Sequence, residues 1–343
     1  YLYVYLGVEL PSGIPLGQSG LALKGALGLL GLNVAPDKTP EQNWYYDWYK
    51  REPFVGVHQT NKWRFQKWSA AFGAGVTITT ADGKIVGVRG LLALVLPGPI
   101  LMIEGRALIF EGVLPLEPPL RAMAVLDGPA RTIQLNIEAE AELVEGIVEA
   151  YAMAEAFFDF KDLTNWHLYL GRDEPRERRI RANLLKLLNA WLFDANAYVM
   201  LDMIEAHTLR SRLGVFVGFE PPIPSLGPVQ VTLDATLEGE GLVTVLPEHF
   251  SAEIDLSATI VLSAFGFGIQ VDAGAGVATE GANPLVVDGL VEIRAEFPSP
   301  TEPLDTLVSL LPEGAQDLVP DVEPLTVEAE LRFHWESPEP PVV

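Results

Sequence analysis

A strict two-residue alternation of apolar and polar side chains is the feature that most constrains this fold. Over residues 325–336, six apolar side chains alternate with six polar ones without an error. Successive side chains of a strand point to opposite faces of a sheet, so the pattern predicts one strand with an apolar and a polar face. At roughly 3.4 Å per residue such a strand is about 40 Å long, well beyond the usual five or six residues. The sequence therefore predicts a tall sheet.

The same alternation recurs along the chain. It is complete over residues 133–143, and shorter copies occupy residues 229–237, 254–260 and 291–297. Between Ala258 and Phe267 the apolar phase changes from even to odd positions, which predicts a bulge or hairpin near Ser263 and Ala264.

Turn signals separate the alternating stretches. Asp82-Gly83 lies between two strand-like runs, Pro97-Gly98-Pro99 marks a reversal, and Glu238-Gly239-Glu240-Gly241 predicts a further turn. Short connections of this kind imply antiparallel neighbours.

Helical spacing is rare. Short helices are predicted over Ile180–Leu188, which follows Pro175, and over Leu304–Leu311, whereas the glycines of Leu21–Leu32 suit neither helix nor strand. We therefore predict an all-β fold of long antiparallel strands forming a large curved sheet, barrel-like or sandwich-like, with a few short helices.

The length of 343 residues allows two ordinary domains or one large one. We predict one large β-rich domain over residues 1–337, with an aromatic and basic insertion at 33–69 and a sub-boundary near 213–228. The proline-rich residues 338–343 read as a linker-like tail. Because residue 1 is Tyr, we expect the chain to be part of a longer protein.

The acidic charge is concentrated in the C-terminal part of the chain. The formal net charge is -23, and residues 213–343 hold 22 acidic and 2 basic residues. This balance argues against nucleic acid as a partner. Acidic residues occupy the polar faces of the predicted strands, and we expect these faces to point to solvent. The apolar faces must then be covered by a second sheet, by closure into a barrel, or by an apolar ligand in a trough.

Residue types and spacings exclude several kinds of site. The chain has no Cys and its five His residues are widely separated, so we predict no transition-metal site, no disulfide and no cofactor. No apolar run is long enough for a membrane-spanning helix. No nucleophile or phosphate-loop motif occurs in its required context, which favours a non-catalytic role over an enzyme. A chain without Cys is compatible with both reducing and oxidising cellular compartments, so the sequence predicts neither.

The segment 33–69 is the best candidate for a binding surface, because flat rings with cationic neighbours suit carbohydrate, lipid headgroups or another protein. The alternative is that these rings cover the sheet as a lid, with the basic side chains extending to solvent. The candidate ligand-binding residues are Trp44, Tyr45, Trp48, Tyr49, Trp63, Arg64 and Trp68.

Several segments resemble a family of large, uncharacterised bacterial β-rich proteins. They are Gly20–Asn33, Phe72–Val76, Leu94–Pro99 and Trp166–Gly171, and the resemblance extends over residues 1–215. It implies a bacterial source and a domain taken from a longer chain. None of these motifs is catalytic.

Taken together, these patterns favour a non-catalytic structural or binding module of a larger bacterial protein, holding lipid-like or other apolar molecules in a β-sheet trough or barrel. A carbohydrate- or protein-interaction module using segment 33–69 is the alternative. A membrane β-barrel or a hydrolase is a further alternative.

Overall fold

In the computed structural model, the described residues form seventeen strands of one antiparallel sheet. The structure describes residues 2–38, 63–80, 86–109, 120–144, 147–187, 190–219, 231–246, 249–264, 267–281, 286–299 and 325–336. The strands are β1 Leu2–Pro15, β2 Leu21–Pro36, β3 Trp63–Thr80, β4 Val86–Leu96, β5 Ile100–Ile109, β6 Leu120–Asp127, β7 Thr132–Val144, β8 Val148–Asp159, β9 Trp166–Leu170, β10 Ile180–Leu187, β11 Ala190–Glu205, β12 Thr208–Phe219, β13 Val231–Leu246, β14 His249–Ala264, β15 Phe267–Glu280, β16 Val286–Ser299 and β17 Leu325–Glu336.

The predicted all-β, antiparallel fold is confirmed. β17 has the bounds that the twelve-residue alternation predicts, and β7 contains the predicted stretch 133–143. Strands that follow one another in the chain pair side by side from β1 to β7 and again from β10 to β17. Short connections join several of these antiparallel neighbours, for example residues 97–99 between β4 and β5 and residues 128–131 between β6 and β7.

The expectation of short helices is wrong for the described residues, where a 3-10 turn at Arg176–Arg178 is the only helical element. Residues predicted as a helix over Ile180–Leu188 instead form β10, which pairs with β8 on one side and with β11 on the other. Cross-strand hydrogen bonds on both sides override a weak local helical pattern. The ambiguous stretch Leu21–Leu32 lies in β2. The helix predicted over Leu304–Leu311 lies outside the described residues.

The turn predictions have mixed outcomes. Pro97–Pro99 connects β4 to β5, and β14 reverses into β15 with Ala264 opposite Phe267, as predicted. The turn predicted at Glu238–Gly241 is wrong, because these residues lie inside β13 and pair with β12 and β14. Two glycines in a strand interior can look like a turn when the pairing on either side is not known. Asp82-Gly83 lies outside the described residues.

The chain divides into two compact units. Unit 1 comprises residues 1–142 and 152–168, and unit 2 comprises residues 143–151 and 169–343. Of the predicted sub-boundary at 213–228, the described part belongs to β12. Both ends of the predicted insertion 33–69 are strand, since β2 continues to Pro36 and β3 begins at Trp63. Residues 39–62 and the tail 338–343 lie outside the described part.

Unit 1 has a buried apolar cluster on one face of its sheet, which we call the inner face. The cluster lies near the β4–β5 hairpin, where Val95, Ile100 and Val125 are almost fully buried. Trp63 and Tyr3 pack against its edge. Further along the same face, polar side chains replace the apolar ones.

Candidate functional site

The face of unit 1 opposite the inner face is aliphatic and exposed, and we call it the aliphatic face of unit 1. Each of the strands β2–β7 contributes large apolar side chains with 40–49% of their surface exposed. One such residue from each strand is Leu30, Phe72, Leu92, Ile103, Leu126 and Ile137. The register places residues of this face beside one another, for example Leu92 beside Ile103 across β4 and β5.

The expectation that apolar faces are buried and polar faces point to solvent is wrong for unit 1. On β7, Ile137 is 49% exposed, whereas its neighbour Asn136 on the inner face is 1% exposed. Glu138, expected in solvent, is buried, and so is Glu104 on β5. A two-residue alternation defines two faces but contains no information on which of them is covered.

Unit 2 repeats the exposed aliphatic face across six neighbouring strands. One exposed side chain from each of β12–β17 is Val215, Leu237, Ile260, Ile269, Ile293 and Leu331. Among the described residues of these strands, no Asp, Glu, Lys or Arg occupies this face, because every charged side chain lies on the alternate positions. The opposite face, which we call the polar face of unit 2, carries Glu253, Asp255 and Glu328, and these three are exposed as expected.

Three of these strands have aliphatic stretches of at least nine residues. On β4 the stretch extends from Val88 to Leu96, on β14 from Ile254 to Leu262, and on β17 from Leu325 to Phe333. Each covers nine residues, which at about 3.4 Å per residue corresponds to roughly 27 Å along the strand. Stretches of nine residues or more match the 9–11 residues of a tilted strand that crosses the hydrocarbon core of a bilayer.

Charged side chains meet on the inner face of unit 1. Four charged residues lie on neighbouring strands, and each is the direct cross-strand partner of the next: Arg89 of β4, Arg106 of β5, Arg121 of β6 and Glu138 of β7. We call them the arginine row. Arg106 donates a hydrogen bond from Nε to Glu104 Oε1, and both side chains are buried.

The sequence contained a signal for the arginine row that our reading of it missed. Arg89 and Arg106 stand eight residues before Pro97 and eight residues after Gly98, so a tight hairpin at that point must place them opposite one another. Arg121 joins them only through the pairing of β5 with β6.

Two buried carboxylates on unit 1 have further polar partners. The Lys38 ammonium group pairs with the buried Asp127 carboxylate. His167 Nε2 lies 3.2 Å from the buried Glu155 Oε1, and the His167 ring stacks on Phe157 with centroids 5.5 Å apart. Such pairing compensates the desolvation of the buried carboxylates.

Arginines and aromatic rings pack together on unit 2. The Arg179 guanidinium lies 4.1 Å from the Phe216 ring centroid and 5.5 Å from that of Tyr198, and its Nη2 donates to Asp173 Oδ1 at 2.8 Å. Arg181 lies 5.0 Å from the Tyr151 ring centroid. These contacts hold the guanidinium groups in fixed positions, since cation–π attraction and a charged hydrogen bond act on the same group.

An open concavity of about 560 Å³ lies on unit 2 between β14 and β17. Its lining includes Gly276 and Ala278, which have no side chain or a small one. Glu253, Asp255 and Asp288 also line it. His334 Nδ1 lies 2.6 Å from Asp288 Oδ1 at its rim. Within the described strands and loops, no group of three or more His, Cys, Asp or Glu side chains is arranged to hold a metal ion.

The described residues of the predicted aromatic site lie in different environments. Trp63 packs on Tyr3 with ring centroids 5.4 Å apart, at the edge of the core cluster. Trp68 is 78% exposed, its ring lies 5.3 Å from Lys67 Nζ, and its backbone N–H donates to Asn33 Oδ1 at 2.9 Å. Arg64 is exposed. Trp44, Tyr45, Trp48 and Tyr49 lie outside the described residues, so their proposed binding role stays a prediction.

Comparison with known proteins gives no match. No family model, no curated protein and no solved structure is significantly similar to the chain. The resemblance to bacterial β-rich proteins therefore stays a prediction. No helix in the described part of the chain is long and apolar enough to cross a membrane.

Proposed function

We propose that this protein is a membrane protein that crosses the lipid bilayer with its strands, placing its aliphatic faces against the acyl chains. The observation that carries this proposal is the exposed, uncharged aliphatic face, set against an opposite face that holds the charged side chains. Of the hypotheses raised by the sequence, this one develops the membrane β-barrel alternative. The apolar partner expected from the sequence becomes the lipid outside the sheet instead of a ligand inside it.

The energetics of an aqueous environment argue against leaving such a face uncovered. Soluble monomers rarely expose contiguous apolar patches above a few hundred Å². Here the aliphatic face of unit 2 alone extends over β12–β17 with side chains such as Leu237 and Ile260 at 40% and 48% exposure. Each apolar Å² removed from water contributes about 25 cal/mol, so lipid contact stabilises this surface strongly.

The backbone meets the main requirement of the bilayer interior. In lipid every N–H and C=O group must be satisfied within the protein, which strands achieve only by pairing on both sides. Strands β2–β6 and β11–β16 each have a hydrogen-bonded partner on either side. Trp68 beside Lys67 lies just before the apolar stretch of β3, where an amphipathic ring fits the membrane–water interface.

The absence of native Cys allows a direct test with single-cysteine variants. Leu256 and Ser257 are neighbours on β14, both exposed, and they point to opposite faces of the sheet. Leu256→Cys and Ser257→Cys form a matched pair. After reconstitution into phosphatidylcholine vesicles, each variant is treated with a water-soluble maleimide. In parallel, each is labelled with a fluorophore and exposed to lipids that carry a nitroxide on the acyl chain.

We expect Cys at position 256 to react slowly with the maleimide and its fluorophore to be quenched by the nitroxide lipid. Cys at position 257 should react quickly and be quenched little. Full unfolding in detergent should make both positions react at the same rate. Equal reactivity in folded, vesicle-bound protein, or failure of the protein to float with vesicles in a density gradient, would contradict the proposal.

A further inference from the structure

Three neighbouring connections form one end of unit 1, which we call the turn end of unit 1. They are residues 97–99 between β4 and β5, 128–131 between β6 and β7, and 160–165 between β8 and β9. The Gly128 N–H donates to the Pro99 carbonyl oxygen at 2.8 Å, and the Phe160 N–H donates to the Arg131 carbonyl oxygen at 2.9 Å. These hydrogen bonds hold the three connections beside one another.

Large apolar side chains are exposed at the turn end. Phe160 is 55% exposed and Leu163 is 75% exposed. Trp68, which is 78% exposed, belongs to the same end, because Ala70 pairs with Leu96 at the end of β4 and Trp68 precedes Ala70 by two residues. Exposed rings at the end of strands with an aliphatic face are typical of the level at which a bilayer meets water.

Three exposed cations lie at the same end: Lys67 on β3, Arg131 in the β6–β7 connection and Lys161 in the β8–β9 connection. Lys67 Nζ lies 5.3 Å from the Trp68 ring centroid, and Lys161 Nζ donates to the Pro129 carbonyl oxygen at 3.2 Å. Among the residues that the structure describes, none of the three forms an ion pair with a carboxylate. A ring and a carbonyl group are neutral, so these contacts leave the charges uncompensated.

The carboxylates of the turn end are engaged by their own connections. Asp159 Oδ1 accepts hydrogen bonds from the backbone N–H groups of Lys161 and Asp162 at 2.8 and 3.4 Å. Asp162 accepts hydrogen bonds from the hydroxyl and the backbone N–H of Thr164. Asp127 is 2% exposed. The carboxylates therefore satisfy backbone donors, whereas the cations extend from the surface.

We propose that the turn end of unit 1 lies at the membrane–water interface and binds the phosphate groups of anionic phospholipids through Lys67, Arg131 and Lys161. The inference rests on the proposed function, since it requires that the strands cross a bilayer. Ammonium and guanidinium groups donate charged hydrogen bonds to phosphate oxygens. Phosphatidylglycerol is favoured over phosphatidylcholine, because the choline cation of the latter balances the charge of its phosphate.

The test compares two exposed leucines in connections at opposite ends of unit 1. Leu163→Cys lies at the turn end, and Leu16→Cys lies between β1 and β2. Each variant carries a fluorophore on its single cysteine and is reconstituted into vesicles of phosphatidylcholine and phosphatidylglycerol in equal amounts. In one preparation a fraction of the phosphatidylglycerol carries a nitroxide on the acyl chain near the headgroup. In the other preparation the same fraction of the phosphatidylcholine carries it.

The ratio of the two quenching efficiencies measures which lipid is enriched beside the fluorophore. We expect the preference for phosphatidylglycerol at position 163 to exceed that at position 16 about fivefold or more, which is the effect of one Lys or Arg close to an anionic surface. Equal ratios at the two positions would overturn the inference. Position 256 on β14 reports separately on the proposed function, so quenching there together with equal ratios at 163 and 16 would refute the inference alone.

Substitution of the cations locates the binding. In the Leu163→Cys protein, the combination of Lys67→Gln, Arg131→Gln and Lys161→Gln should reduce the preference at position 163 to the value at position 16. Lys67→Arg with Lys161→Arg keeps both charges and should retain the preference. If the triple variant loses its β-sheet circular dichroism spectrum, the three single variants replace it, and each should lower the preference up to about fivefold.

The control removes the same number of positive charges elsewhere. Lys24→Gln, Arg294→Gln and Arg332→Gln are combined, since Lys24 donates to the Pro11 carbonyl oxygen and the two arginines lie on β16 and β17 of unit 2. This variant should keep the preference at position 163. An equal loss in both triple variants would show that the charge of the whole chain decides the lipid preference, and the inference would be wrong.

Discussion

Asp202 and Arg210 face one another across β11 and β12 and form a two-point contact. Arg210 Nε donates to Asp202 Oδ1 at 3.2 Å, and Arg210 Nη2 donates to Asp202 Oδ2 at 2.5 Å. The Asp202 side chain is 11% exposed and that of Arg210 is 27% exposed. Because little water reaches this pair, its removal has a larger effect than removal of a surface ion pair.

We expect Arg210→Ala to lower the free energy of unfolding by about 2 kcal/mol, since it leaves the Asp202 carboxylate without its charged donor. The measurement is denaturant unfolding of the purified protein followed by circular dichroism. Arg332→Ala is the control, because Arg332 is 74% exposed and its partner Glu330 is 47% exposed. That variant should stay within about 0.5 kcal/mol of the parent, and an equal loss in both would contradict the prediction.

Gly75 and Gly90 test how closely the strands of unit 1 approach one another. A Cβ at Gly75 would lie 2.5 Å from the carbonyl oxygen of Gly90 and 2.9 Å from Leu27 Cγ, whereas a Cβ at Gly90 would have nothing within 4 Å. Gly75→Ala should therefore destabilise the protein by about 1–3 kcal/mol through overpacking. Gly90→Ala should be neutral or stabilising by up to about 1 kcal/mol. Thermal unfolding of the two variants checks the difference, and a reversed order would refute it.

In the connection between β8 and β9, we expect the stabilising contribution of Asp162 to depend on pH. The Thr164 hydroxyl donates to Asp162 Oδ1 at 2.5 Å and the Thr164 backbone N–H donates to the same oxygen at 3.0 Å. These hydrogen bonds, the side-chain one foremost, hold the pKa of Asp162 below its ordinary value of 3.8. A lowered pKa means that the loop is stabilised above pH 3.8 and loses this contribution as the pH falls through the folded-state pKa.

Carboxyl titration by NMR measures this pKa directly. Thr164→Val removes the hydroxyl donor and retains the backbone N–H, so the Asp162 pKa should rise towards its ordinary value. Thr164→Ser retains a hydroxyl and should preserve most of the shift. An unchanged pKa in Thr164→Val would show that the side-chain hydrogen bond has no role.

Substitutions of Trp63 and Trp68 test whether the aromatic segment 33–69 is a binding surface or a lid over the sheet. Trp63 packs on Tyr3 and the core cluster, so Trp63→Ala should cost about 2 kcal/mol of unfolding free energy. Trp68 is exposed, and Trp68→Ala should change stability by less than about 0.5 kcal/mol. In vesicles, Trp68→Ala should instead remove a tryptophan that reports on the interface, measured by quenching with brominated lipids. Equal destabilisation by both variants would favour the lid reading for Trp68 as well.

Local pattern was sufficient to predict several of the strands, but it did not predict which strands pair with one another. β17 and β7 follow from alternation alone, because no other structure repeats every two residues. The strand at Ile180–Leu187 and the continuity of β13 through Gly239 and Gly241 did not follow, since both depend on hydrogen bonds to strands that are distant in the sequence. The arginine row likewise requires the register of β4, β5 and β6.

The sequence by itself determined that the strands have one aliphatic and one polar face. Only the tertiary structure decided which face is covered, as Ile137 at 49% exposure beside Asn136 at 1% exposure shows. The physical reason is that alternation is symmetric: the same sequence satisfies a sheet with its apolar face inside in water and one with its apolar face outside in lipid. The choice between them depends on the curvature and packing of many strands together, which no single strand encodes.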